Sequence, residues 1–271
     1  MDNLQAKQEL AFHAKTDCGK VRPHNEDNYL LESWPETSTV LAVVADGMGG
    51  HRGGEVAAKI AVDTFGELLK TPLPETSQER YKLLLKCFYD ADEAIQEAAC
   101  ENFKLFGMGT TIIAAIVSPT ECIHLYAGDC RLYHFAKGDK PYITADHSVV
   151  QVLLELGRIT EEDIPTHPMR SVVNSCLGGK ENSHFSVDPK WDSEELPVVR
   201  KWSAGDVLLL CSDGLNGEVS KQQLECLVQE FGDSPEKLTE ECVNKALEHG
   251  GGDNITVIAI ANLGKKSIYK S

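Results

Sequence analysis

The sequence predicts an α+β fold of four layers, α-β-β-α, in which two antiparallel sheets pack face to face and helix pairs cover their outer faces. Three observations carry this expectation. Short runs rich in Val, Ile and Thr, bounded by Gly, Asp and Pro, recur in three regions of the chain. Between these regions the apolar spacing turns helical, and the helices come in pairs. The order is strands, helix pair, strands, helix pair, final strand, which suits two sheets with helices outside.

The first strand region covers Leu10–Thr16, Asn28–Glu32 and Thr39–Ala45. From Gly53 to Leu69, Ala57, Ile60, Ala61, Thr64, Phe65 and Leu68 fall on one helical face. Pro72-Leu73-Pro74 then breaks the chain into a loop. A second helix is predicted over Gln78–Phe103, with Tyr81, Leu84, Leu85, Phe88, Ala91, Ile95 and Ala98 on its apolar face. The next strands are Thr110–Val117, Cys122–Ala127 and Leu132–Phe135. After a polar insertion come the strand Asp206–Cys211, a helix pair at Lys221–Phe231 and Ser234–His249, and the last strand, Ile255–Ala261. Ser234-Pro235 opens the second of those helices, with proline at the position where its missing N–H costs nothing. The insertion runs from about His147 to Gly178, is half helical over Val149–Leu156, and is read as a flap beside the site. One domain is expected over 1–271, with its core at about 9–263.

Composition narrows the function classes. The 271 residues are 42% hydrophobic and 25% charged, which excludes a disordered chain. The net charge of −16 argues against a nucleic-acid or anionic-membrane binder. The nine cysteines form no CxxC and no Cys/His zinc pattern, and their scatter suits a reducing cytoplasm. Met1–Gln8 is polar and lacks the apolar stretch of a signal peptide, and no apolar run is long enough to span a bilayer.

The chemistry sits in four acidic clusters, each beside a strand end and a Gly or Asn turn: Arg22-Pro23-His24-Asn25-Glu26-Asp27, Asp46-Gly47-Met48-Gly49-Gly50, Ser212-Asp213-Gly214 and Gly252-Asp253-Asn254. Taken singly, an Asp-Gly pair is a turn or a helix cap. Taken together, an antiparallel arrangement brings strand ends and strand starts to one edge, so Asp46, Asp213, Asp253 and Glu26 would meet. Carboxylates so crowded repel unless cations hold them. Oxygen donors without Cys favour Mg²⁺ or Mn²⁺, and the Gly47 carbonyl would add a ligand. Two such ions serve phosphoryl chemistry, and Arg22, four residues before Glu26, would take a phosphate in its planar fork or is a surface arginine.

Six ordered motifs make a family resemblance. Arg22…Asn25-Glu26-Asp27, Asp46-Gly47-Met48-Gly49-Gly50, Gly109-Thr110-Thr111, Ala127-Gly128-Asp129-Cys130-Arg131, Ser212-Asp213-Gly214-Leu215 and Gly252-Asp253-Asn254 occur in the order seen in the PPM/PP2C family of metal-dependent serine/threonine protein phosphatases. The chain resembles its compact bacterial branch from about Glu9 to Leu263. The resemblance implies that Asp46 bridges two Mn²⁺ or Mg²⁺ ions, that Asp213 and Asp253 complete one, and that Glu26 and the Gly47 carbonyl hold the other. It implies that Asp27 orders a water, Arg22 binds substrate phosphate, and Asp129 shares a weaker third ion with Asp213. Hydrolysis would proceed by direct attack of a metal-bridging hydroxide on phosphoserine or phosphothreonine, with no phosphoenzyme. Expected partners are phosphorylated proteins made by a Ser/Thr kinase, with no nucleic acid, no membrane, and a monomeric chain.

Two positions depart from the family pattern. Met48 stands where many members have a His that would protonate the leaving group. His51 would substitute, or is an exposed helix-start residue, or a water does the work. Cys130 replaces a Ser and is expected as a small buried hydrophobe, with redox inactivation as the sharper alternative. In the flap, His167 and Arg170 would contact substrate or form a His-Pro turn with an exposed Arg. The competing functions are a pseudophosphatase docking module and a hydrolase of a small phosphorylated metabolite.

Overall fold

The structure, a computed structural model, describes residues 8–35, 37–49, 53–179, 185–193 and 197–265. In chain order the elements are β1 (Gln8–Asp17), β2 (Asp27–Ser33), β3 (Val40–Met48), α1 (Gly53–Gly66), α2 (Ser77–Glu101), β4 (Gly109–Val117), β5 (Glu121–Ala127), β6 (Arg131–Phe135) and β7 (Tyr142–Ile143). They continue with α3 (Val149–Glu155), β8 (Leu177–Gly178), β9 (Val199–Lys201), β10 (Val207–Cys211), α4 (Asp213–Asn216), α5 (Lys221–Phe231), α6 (Pro235–His249) and β11 (Ile255–Lys265).

Two antiparallel sheets result. One has the order β1-β11-β10-β6-β7, the other β2-β3-β4-β5-β9, with β8 pairing β4 at its end. The strands of the middle positions are apolar at nearly every residue because both of their faces are covered. Leu41, Val43 and Ala45 of β3 point to one core with Ala57, Ala61 and Phe65 of α1 and Leu84, Phe88 and Ile95 of α2. The alternate residues Val40, Ala42 and Val44 point to a second core, where they meet Leu208, Leu210, Ile258 and Ile260 of the other sheet. Leu209, Val257 and Ala259 face a third core with Leu224 of α5 and Leu238, Cys242 and Ala246 of α6. The two-residue period of the strands thus builds three apolar layers between four layers of structure. Each fully buried Leu, Ile or Val contributes on the order of 1.5–3 kcal/mol.

The expected helix pairs and long strands are present, with differences at their ends. The helix expected over Gly53–Leu69 is α-helical only to Gly66 and continues as a single 3₁₀ segment, Glu67–Lys70. The helix α2 starts on a capping box, with Thr76 accepting from the Glu79 N–H and the Glu79 carboxylate accepting from the Thr76 N–H. It stops at Glu101, so Phe103 lies in a following 3₁₀ turn instead. The short strands β7, β8 and β9 give no period to read, and β8 draws the last residues of the 147–178 segment into a sheet.

Away from the strand ends that carry the acidic clusters, the space between the sheets holds a polar chain. His124 Nε2 lies 3.1 Å from Tyr142 Oη, and the Arg200 guanidinium sits 3.7 Å above the Tyr142 ring. Arg200 Nε donates to His134 Nδ1 at 3.2 Å, and His134 Nε2 lies 3.3 Å from Asp206 Oδ2. Burial, reinforced by the charge of Arg200, pulls the His124 pKa from 6.5 down to about 3. The unfolded chain therefore takes up a proton below pH 6.5 that the folded chain refuses until about pH 3. Stability from this group is complete above the unfolded value and is lost as pH falls, by up to about 1.4 kcal/mol per pH unit. Replacing His124 by Phe should make the urea midpoint fall less steeply between pH 6.5 and 4.5 than in the parent; parallel slopes would assign the acid sensitivity elsewhere.

Candidate metal centre

Strand register gathers the acidic clusters at one edge of the sandwich. The pair β2–β3 sets Asp27 opposite Asp46, and β3–β4 sets Asp46 opposite Thr111. In the other sheet, β10 ends at Cys211 opposite Val257, so Asp213 and Asp253 flank neighbouring strands. The chain crosses between sheets at this same edge through 18–26 after β1 and through 128–130 after β5, and again through 144–176 between β7 and β8. Glu26 and Asp129 lie in those crossings. Arg22, Glu26, Asp46, Gly47, Asp129, Asp213 and Asp253 all line one cleft of about 1250 Å³.

Close backbone packing holds the acidic turns. A Cβ on Gly47 would stand 2.2 Å from the Gly54 carbonyl oxygen and 2.6 Å from that of Glu26, so only glycine lets the start of α1, the β3 end and the β2 entry touch. A Cβ on Gly214 would lie 1.9 Å from the Asn254 carbonyl oxygen, which locks the Asp213 and Asp253 turns together in the same way. Asn254 knits the first crossing to them. Its Nδ2 donates to the carbonyls of Cys18 and His24 at 2.9 Å each, and its Oδ1 accepts the Glu26 N–H at 2.8 Å. Ser212 ties the two sheets, donating to Asp27 Oδ2 at 2.7 Å while accepting the Thr256 N–H at 3.0 Å. Both residues stand inside the sequence motifs, but nothing in their spacing revealed these roles. A polar side chain next to the motif Asp was the available signal.

The electrostatics are those of a site in want of positive charge. Burial, then the charges of Asp27, Asp213 and Asp129, holds the Asp46 carboxyl well above its ordinary pKa, although one side of it opens to the cleft. Burial pushes Asp27 up to about 7 against the hydrogen bonds of Thr256 and Ser212, and the charges of Asp213 and Asp253 push the same way. Asp129 is raised to about 7 by burial and by Asp213 and Asp146. Asp213 is raised by burial and by Asp253, and Glu26 by burial against the pull of Arg22. Asp213 and Asp46 are close enough that each acts on the titration of the other. Asp27 Oδ1 is buried with no hydrogen-bond partner.

These residues fit divalent cations on chemical grounds. Every donor is an oxygen, and a cation would offset the burial and mutual repulsion that raise these carboxyls. Among the described residues, no three His, Cys, Asp or Glu side chains form a group that would hold an ion unaided. Ions here would therefore lean on the Gly47 carbonyl and on water, as hard cations do.

Arg22 lies in the cleft, but its Nη2 donates to Asp253 Oδ2 at 2.7 Å, and both side chains are partly exposed. Burial opposes the charge of Arg22; Asp253, Asp213 and Glu26 outweigh it and raise its pKa. Most of its five donors remain for another ligand. Met48 lines the cleft, and His51 lies outside the described residues. His167 and Arg170 do not line the cleft; from the 147–178 segment, Ser171 and Val173 do. His167 Nδ1 accepts the Met169 N–H at 3.2 Å within an exposed turn. Cys130 is buried, lies 3.3 Å from Thr111 Oγ1, and has its thiol pKa raised well above normal by burial, so it packs as the expected small hydrophobe.

Comparison with known proteins agrees with this geometry. Residues 20–249 match the sequence model of the family described as protein phosphatase 2C. The serine/threonine phosphatase stp of Listeria welshimeri is 34% identical over 247 residues, covering 91% of this chain and 93% of its own. The crystal structure of the Mycobacterium tuberculosis serine/threonine phosphatase PstP/Ppp superposes with a TM-score of 0.79 at 30% identity, over 93% of this chain and 98% of its own. The catalytic domain of PstP in complex with two manganese ions superposes with a TM-score of 0.78 at 28% identity, over 94% and 99%. Identity sustained over nearly the whole of both chains, with the same layered sheets beneath it, marks common descent: the chain belongs to the protein phosphatase 2C family.

Proposed function

We propose that this chain hydrolyses phosphoserine and phosphothreonine in proteins, with two Mn²⁺ or Mg²⁺ ions at the carboxylate cluster. The observation that carries the reading is the crowding of Asp46, Asp129, Asp213, Asp253 and Glu26 around one cleft that also contains Arg22. Asp46, in the same cleft as Asp213 and followed by Gly47, would be the central ligand; Asp213 and Asp253 would serve one ion, and Glu26 and the Gly47 carbonyl the other. Asp129 would share a weaker third ion with Asp213. Divalent ions so held lower the pKa of coordinated water and offset phosphate charge.

The chain's own groups do the rest. Arg22 would turn part of its fork from Asp253 to the phosphate oxygens, a bidentate contact that Lys could not copy. The unpartnered Asp27 Oδ1 would accept a hydrogen bond from the attacking water and orient it. Met48 has no proton to give, so the leaving oxygen would be protonated by water, or by His51. Residues 147–178 would act as the flap of a catalytic unit spanning about 9–263, with Ser171 and Val173 facing the substrate.

The cleft is larger than an ordinary small-metabolite pocket, whose volume runs to roughly 1000 Å³, and exposed residues form part of its rim. That supports a protein substrate over a small phosphorylated metabolite. The presence of all the expected carboxylates supports an enzyme over a docking module. A cytoplasmic setting, with phosphoproteins supplied by a Ser/Thr kinase, is in keeping with nine cysteines scattered without paired spacing. Among the described residues, no helix is long and apolar enough to cross a membrane.

Chelator-treated protein should be inactive on a phosphothreonine peptide and regain turnover with Mn²⁺ or Mg²⁺; turnover that survives full chelation would refute metal dependence. Asp46→Asn should lower activity by at least about a hundredfold, the loss expected when a principal electrostatic group is removed. Its metal-free melting temperature should not fall, because the substitution relieves a buried charge. Asp129→Ala should cost about tenfold in rate while calorimetry still shows two tight ions. Loss of all metal binding in Asp129→Ala would contradict its assignment to the weaker third ion.

A further inference from the structure

We propose that Lys104 is a specificity-determining residue that selects phosphorylated segments carrying an anionic group, a carboxylate side chain or a second phosphate, beside the scissile phosphate. The inference rests on the phosphatase reading above and concerns the substrate of that same site.

Lys104 lies in the turn between α2 and β4, and with Asn102 and Leu105 it lines the same cleft as the carboxylate cluster. Among the described residues, Arg22 and Lys104 are the arginine and lysine of that lining. Arg22 is engaged by Asp253, whereas Lys104 forms no ion pair among the described residues. In a chain of net charge −16, an exposed lysine among the cleft residues, with no ion pair among the described residues, attracts anionic groups brought to the cleft.

The turn is built to hold its position. Asn102 Oδ1 accepts the Lys104 N–H at 3.2 Å, the Leu105 N–H reaches the Asn102 carbonyl at 2.8 Å, and the Met108 N–H reaches that of Leu105 at 3.0 Å. At its far end, Met108 packs so closely on Gly49 that a Cβ there would stand 3.1 Å from the Met108 Cα. The Met108 carbonyl accepts the Gly179 N–H at 2.7 Å, and Gly109 pairs with both Met48 and Gly178. The turn is thus fastened to the Asp46 loop on one side and to the end of the 147–178 segment on the other. Phe103 and Phe106 flank Lys104 on the same turn, exposed and stacked with ring centroids 5.9 Å apart. A phosphorylated side chain at the carboxylate cluster therefore leaves its neighbours along the cleft toward a cation carried on a fixed turn, beside an apolar ledge.

The experiment compares kcat/KM for phosphothreonine peptides of equal apolar content, with Glu, Ser, Lys or phosphoserine on each side of the target, against a small aryl phosphate. It uses the Mn²⁺-loaded full chain and its Lys104→Glu and Lys104→Arg variants. The parent should prefer the Glu and phosphoserine peptides over the Ser peptide by about two- to fivefold, the reach of an exposed ion pair, and the preference should shrink at high salt. Lys104→Glu should reverse the order, Lys104→Arg should keep it, and all three should hydrolyse the aryl phosphate equally. A response to phosphoserine alone would narrow the anion to a second phosphate; a response to both would include carboxylates. Equal peptide ratios in parent and Lys104→Glu would overturn the inference while leaving the phosphatase reading intact. No turnover of any phosphorylated compound by the parent would overturn both.

Discussion

Mutual repulsion among buried carboxylates is the constraint on which this structure turns. Asp27, Asp46, Asp129 and Asp213 are driven together by strand register, and each has its pKa raised by burial and by its neighbours. The fold cannot relieve this by moving one residue, because each sits at the end of a strand or in a turn whose packing is set by the core. Among the described residues, an ion pair between Arg22 and Asp253 is an internal compensation. It is partial, and Asp27 Oδ1 is buried without a hydrogen-bond partner. A site in this condition gains more from divalent cations than a preformed neutral cage would, since metal binding removes a cost already present in the protein.

The sandwich makes that concentration possible. Its three apolar layers use both faces of β3, β4, β10 and β11, so the strands cannot slip by one residue without turning a whole core face over. Rigid register carries precision from the core to the edge, where the charged turns lie. Asn254, Ser212, Gly47 and Gly214 then convert that precision into side-chain placement through short hydrogen bonds and backbone contacts that admit no Cβ. The turn bearing Lys104 is tied to the same edge through Met108 and Gly109. Chemistry and substrate selection in this cleft therefore share one scaffold.

Much of this was legible in the residues themselves. The strand runs and paired helices announced a helix-covered sandwich, because periods of two and of 3.6 are local properties of the chain. The carboxylates Glu26, Asp46, Asp213 and Asp253 were identifiable because each follows one grammar, an apolar strand beside an acidic turn. The buried role of Cys130 followed from its chemistry and is what the core contains. Tertiary structure alone decided the rest. It paired Arg22 with Asp253, set His167 and Arg170 away from the cleft wall and Ser171 and Val173 on it, and made Asn254 the joint of two loops. It also brought Lys104 to the site, though no motif marks that residue, which follows directly on the helix expected to end at Phe103. The physical reason is one of range. Periodicity and turn chemistry act over a few residues, whereas these contacts join positions up to 236 residues apart, and only the closed packing of both sheets brings such positions together.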